Sequence, residues 1–139
     1  MSRILVIANK TLLAGRLIEL ICDRAAEGAT IHIVVPASPP YSDLVWTEGQ
    51  NRAHAETRLE AALALLLETH GVTASGDVGD ANPLNAITDA MAVDSYDEVL
   101  LSTLPPGPSR WLRQDLPHRV TRRYPDLRLT HVVSEAVGV

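Results

Sequence analysis

The feature that most limits what this chain can become is a repeated change in the period of its apolar residues. Arg3-Ile-Leu-Val-Ile-Ala8 is a continuous apolar run, the pattern of a strand buried on both faces. Leu13, Leu17, Leu20, Ile21 and Ala25 then follow at helical spacing, and Gly28 supplies a residue suited to a helix end. Thr30 to Val35 returns to β-branched residues, and the prolines of Pro36-Ala-Ser-Pro-Pro40 end that strand by removing ladder donors. From about Asn51 to His70, Leu59, Ala62, Leu63, Leu66 and Leu67 mark a second helix closed by Gly71. Val72 to Val78 reads as a third strand. Asn82-Pro83 offers an N-cap followed by proline at the first helical position, ahead of Leu84, Ile87, Ala90 and Met91. Asp97 to Ser102 is a fourth strand, and Arg128 to Val133 a fifth. The stretch between them, Ser109 to Tyr124, is expected as two helical pieces because Pro117 falls in its interior.

Strands alternating with helices favour a parallel sheet covered on both faces by right-handed crossovers. Ligands in such sheets bind beyond the carboxyl ends of the strands, where the strand order reverses. Those ends are Ala8-Asn9-Lys10, Val35-Pro36, Gly79-Asp80 and Ser102-Thr103. With 139 residues, of which 46% are hydrophobic, the chain suits one domain with a real core. Its longest unbroken apolar run, Ala61 to Leu67, is far below the roughly 20 residues of a spanning helix. The N-terminus shows no secretory pattern, and a cytoplasmic location is expected.

Charge and residue usage narrow the function classes. The net charge is −5, but residues 110–128 hold six arginines against Asp115 and Asp126. An acidic body disfavours broad nucleic-acid binding, while one basic segment suits an anion or an acidic partner. Aromatic residues are 4% and Phe is absent, which removes stacking platforms for single strands. The single cysteine, Cys22, sits at helical spacing among apolar neighbours and reads as a core residue. His32, His54, His70, His118 and His131 lack metal-ligand spacing, so no metal is expected.

Several local strings resemble the universal stress protein family across nearly the whole chain. Gly79-Asp80-Ala-Asn-Pro83 is similar to the family's Gly-Asp-Pro approach to its third helix. Asp97-Glu-Val-Leu-Leu-Ser102 resembles its fourth strand, and Arg119-Val-Thr-Arg-Arg-Tyr-Pro125 with Leu127 to Val133 its closing helix and strand. The resemblance implies an α/β domain over residues 1–139 with a five-stranded parallel sheet of order 3-2-1-4-5, usually in a homodimer. ATP-binding members carry Gly-x-x-Gly, nine residues, then Gly-Ser or Gly-Thr, glycines that let backbone amides approach phosphate. Here only Gly107 stands in that region, and Gln114-Asp115 falls where Gly-Ser would be. Asp115 is expected to cap the helix itself and to repel a triphosphate. The family's ribose-holding aspartate after the first strand is replaced by Ala8 or Asn9.

Other chemistry weighs less. Gly107-Pro-Ser109 begins like a nucleophile elbow, but Trp111 occupies the position that needs a small residue. Asp77 and Asp80 fit a solvated loop and helix cap better than a magnesium site. Arg119 and Arg123 share a helix face, whereas Arg110 and Arg113 stand beside the Gly107 loop and are the better ligand candidates. Trp46 and Trp111 fit either a pocket wall or a sheet cover.

The expected function is therefore a non-enzymatic, universal-stress-protein-like homodimer in stress response, acting through an unknown protein partner or a small ligand, without a resident cofactor. The alternative is a protein that binds ATP or AMP through a noncanonical phosphate loop. Candidate binding positions are Ala8, Asn9, Val35, Gly79, Ser102, Thr103, Gly107, Ser109 and Arg110. The strand Leu129 to Val133 is the expected dimer edge, with Val132 as the residue whose change to Asp is expected to weaken it. No nucleic-acid or membrane partner is expected.

Overall fold

Strand β1, Arg3–Ile7, has four consecutive buried residues, which requires cover on both sheet faces and places it centrally. The computed structural model describes residues 2–37, 47–104 and 110–134, with positions 110–115 as helical backbone. The remaining elements are α1 (Gly15–Ala26), β2 (Thr30–Pro36), α2 (Glu48–His70), β3 (Ser75–Gly79), α3 (Pro83–Val93), β4 (Glu98–Thr103), α4 (Arg110–Arg123) and β5 (Arg128–Val133). The sheet order is β3-β2-β1-β4-β5, and each of the four neighbouring pairs is parallel. The α/β architecture expected from the sequence is therefore the one observed. No helix among the described residues is long and apolar enough to cross a membrane.

The sheet separates two cores. Residues of β1, β2 and β4 whose side chains point one way, such as Ile4, Val6, Ile33 and Leu100, join Leu17 and Ile21 of α1 and Leu59, Ala62 and Leu66 of α2. The alternate residues Leu5, Ile7, Val34, Val99 and Leu101 meet Ala86 and Ile87 of α3 and Val120 of α4. Cys22 packs at the margin of the first core, as expected. Burial, and then the charge of Asp23, push its thiol up, so the sulfur stays protonated.

Boundaries differ from expectation for identifiable reasons. Helix α2 starts at Glu48 rather than near Asn51 because Thr47 and Gln50 form a reciprocal capping box. Strand β3 starts at Ser75 rather than Val72. Gly71, at φ 67°, turns the chain so that the amides of Gly71 and Val72 close the helix on Leu67 O and Leu66 O, at 3.1 and 2.8 Å. Val72 thus finishes α2 instead of opening β3.

Two expectations are corrected in α4. It is one helix with Pro117 inside, not two pieces. Proline removes the donor to the carbonyl four residues earlier, but Leu116, Val120 and Tyr124 recur every four residues and hold the helix against the second core. Asp115 lies in the helix interior, so it is not the cap of the backbone amides at its start. Strand β5 supplies a third correction. Val132 is 6% exposed and belongs to the first core of its own chain, while Leu129 packs against the second. Of the strand's apolar residues, the pleat leaves only Val133 substantially exposed, at 51%.

Candidate functional site

Because all strands are parallel, β1, β2 and β4 end on one side of the sheet, where β1 and β4 diverge. Immediately after β1, Asn9 bridges three elements. Its amide nitrogen donates to Pro36 O at the end of β2, at 2.8 Å, and its Oδ1 accepts from an Arg58 guanidinium nitrogen of α2 at 2.6 Å. Both ends of this carboxamide are therefore held, which fixes its orientation.

Two hydroxyls close the gap between β1 and β4. Thr11 Oγ1 and Ser102 Oγ share a hydrogen bond of 2.5 Å, and both residues are buried. One residue further along β4, Thr103 Oγ1 lies 2.7 Å from His131 Nε2 of β5. Burial pushes the His131 imidazole down, favouring its neutral form, in which one ring nitrogen accepts and the other donates.

The expected positions divide clearly. Asn9, Ser102 and Thr103 are brought to this end with their polar groups in defined contacts. The side chains of Ala8 and Val35 are buried in the first core, so their backbone is what they bring to this end. Gly79 lies on β3, two strands away from β1. A Cβ there would stand 2.7 Å from Val34 Cγ1 and 3.1 Å from Ala86 Cβ, so this glycine allows α3 to pack close to the sheet. Gly107, Ser109 and Trp46 lie outside the described residues, as do the side chains of Arg110, Arg113 and Trp111. Arg119 and Arg123 are exposed. Asp80 accepts from the Asn82 amide at 2.8 Å, and Asn82 caps α3. Among the described residues no group of three or more His, Cys, Asp or Glu is arranged for a metal ion.

Thr11, Arg58 and His131 join the site through contacts that no sequence motif marks. Arg58 did leave a signal: Asn51, Ala55, Arg58 and Ala62 recur at i, i+4, i+7 and i+11, which puts the guanidinium at the border of the buried helix stripe. Asn51 belongs to that stripe, is 9% exposed, and its Oδ1 has no hydrogen-bond partner. Seven residues before Arg58, it stands about 10 Å further along the helix, on the side beyond the strand ends. A buried acceptor without a donor costs about 1–3 kcal/mol.

The class defined so far is an open, doubly covered parallel α/β sheet with a polar site at its strand-order reversal. No family model matches the chain, and no curated protein matches it. Among solved structures, a universal stress protein in complex with cAMP superposes over 98% of this chain and 98% of its own, with a TM-score of 0.51 and 12% sequence identity. The fold of this chain is that of the universal stress proteins.

Proposed function

We propose that the chain is a universal-stress-protein-like binding module that acts in stress response through a small ligand held beyond β1 and β4, and not through catalysis. The observation that carries this reading is the buried, unmatched Oδ1 of Asn51 on the helix face that also delivers Arg58 to Asn9. A ligand with an N–H donor would satisfy that acceptor. Arg58, Thr11 and Ser102 add a cation and hydroxyls to the same end of the sheet, groups suited to hold an anionic or polar molecule.

A nucleotide is the second reading. It is supported by the cAMP held by the structural neighbour and by the exocyclic amine that an adenine would offer. Native mass spectrometry of protein purified without heating tests the first reading. The expected result is a noncovalent small-molecule adduct, weakened in Asn51→Leu. Protein that carries no adduct, and that no small molecule stabilises, would overturn it. Melting with AMP, cAMP and Mg²⁺-ATP separates the second: a nucleotide at 100 times its Kd adds about 2.7 kcal/mol, a resolvable shift. A clear shift lost in Asn51→Leu establishes nucleotide binding, and ATP turnover would refute the non-catalytic reading.

We further propose that the protein is a homodimer paired through the β5 edge, Leu129 to Val133. The edge strand's outward backbone groups and the exposed Val133 support that pairing.

A further inference from the structure

Away from the strand ends, β2 and β3 bring together three side chains that the ligand site does not use. On the face covered by α3, His32 of β2 stands in register with Ser75 of β3, and Asp77 follows two residues later on the same side of the pleat. Ser75 Oγ lies 2.7 Å from His32 Nδ1, and His32 Nε2 lies 3.2 Å from Asp77 Oδ2. The Tyr96 ring stacks on the imidazole, with centroids 6.3 Å apart and planes inclined by 24°.

The partners determine the imidazole's tautomer. A carboxylate only accepts, so the Asp77 contact favours the tautomer that carries its hydrogen on Nε2. In the neutral ring Nδ1 is then a lone pair, and the hydroxyl of Ser75 donates to it. The competing acceptor for that hydroxyl, Ile31 O, is 3.5 Å away, against 2.7 Å to the ring. A serine hydroxyl bound to a neutral imidazole, which is oriented by a carboxylate, is the arrangement that activates serine as a nucleophile. Ser75 is exposed. His32 and Asp77 line a groove of about 450 Å³ whose apolar wall includes Val34, Ala86, Ala90 and Val93. That wall suits a short acyl or aryl group.

We propose that Ser75 is an activated nucleophile that takes an acyl group from activated esters. Ser75 Oγ bonds to the acyl carbon as the bond from that carbon to the leaving oxygen breaks. The hydroxyl proton passes to His32 Nδ1 and then to the leaving oxygen, giving acyl-Ser75 and the free alcohol or phenol. Asp77 acts as a positioning residue that holds the tautomer.

The test treats the full chain with p-nitrophenyl acetate and maps acetylation by peptide mass spectrometry, with nitrophenol release followed in parallel. The expected result is one acetyl group on Ser75 per chain and a matching burst, both absent in Ser75→Ala. His32→Gln lowers the rate about 100-fold, the lower end of general-base contributions. Asp77→Asn, which offers the ring a donor and reverses the tautomer, slows the reaction while leaving the melting temperature unchanged. Acetylation confined to Lys10 and the N-terminus would overturn the proposal, as would Ser75 acetylation at an unchanged rate in His32→Gln.

Discussion

Glu98, the first residue of β4, is 3% exposed yet charged. Arg24 of α1 donates to both its oxygens, at 2.8 and 3.1 Å, and the Thr130 hydroxyl donates at 2.6 Å. Burial raises the carboxyl's pKa, but the hydrogen bonds from Arg24 and Thr130 and the charges of Arg24 and Arg128 reverse this, leaving it below the ordinary carboxylate value. A carboxyl lowered on folding stabilises the protein above its unfolded pKa, about 4.3, and that contribution is lost as pH falls through the folded value. Glu98→Gln removes one partner of a buried pair and should cost about 3 kcal/mol at neutral pH. Urea unfolding across the acid range should show the variant losing less further stability than the parent; parallel curves would refute this account. This residue also shows where sequence reading ends. Its place in a strand was legible, but Arg24, 74 positions away, became its partner only through the pairing of β1 with β4. Asn9 is legible because it follows the first strand, whereas a charged residue beside Leu59, such as Arg58, carries no sequence mark that separates a site from a solvated face.

At the scale of elements, the alternation of periods locates the five strands and four helices of the described residues, apart from the break expected at Pro117, because each period is imposed by burial and survives small boundary errors. The ends were less legible, since caps are decided by individual hydrogen bonds. Thr47 and Gln50 stand at capping-box spacing, a start signal set by two hydrogen bonds rather than by apolar period. Thr47→Ala should cost about 1 kcal/mol, readable by thermal melting, while a neutral result would mean the cap contributes nothing. Pro117 taught the opposite lesson, because the proline rule was outweighed by the stripe of Leu116, Val120 and Tyr124. Replacing Pro117 with Ala should stabilise the fold, by up to about 3 kcal/mol, as the carbonyl four residues earlier regains its donor. A destabilised variant would show that the proline has a packing role.

At the scale of the whole molecule, the fold was legible and the dimer reporter was misplaced. Apolar content in β5 suggested an uncovered edge, but the chain's own helices cover Val132 and Leu129. Val132→Asp should therefore unfold the subunit rather than separate two of them, since it buries a charge without a partner. Val133→Asp is the informative change. Light scattering at tens of micromolar should show a dimer in the parent and a weakened one in Val133→Asp, with an unaltered circular dichroism spectrum. A monomeric parent would refute the pairing.

The division of the interior by the sheet has a consequence for how the molecule opens. Helix α3 buries only Ala86 and Ile87, whereas α1 buries Leu17, Ile18, Leu20 and Ile21. Each face must supply its own free energy to keep its helices docked, and partial unfolding proceeds where the least apolar area is exposed. Helix α3 should therefore detach first, with α1 and α2 still folded against the other face. Amide hydrogen exchange would read this as a lower-energy opening shared by Ala86 to Ala90. The amides of Leu17 to Ile21 would exchange only with global unfolding. Such a subglobal opening would leave the Asn9–Arg58 contact closed, so ligand occupancy and exposure of the face under α3 would vary independently of each other.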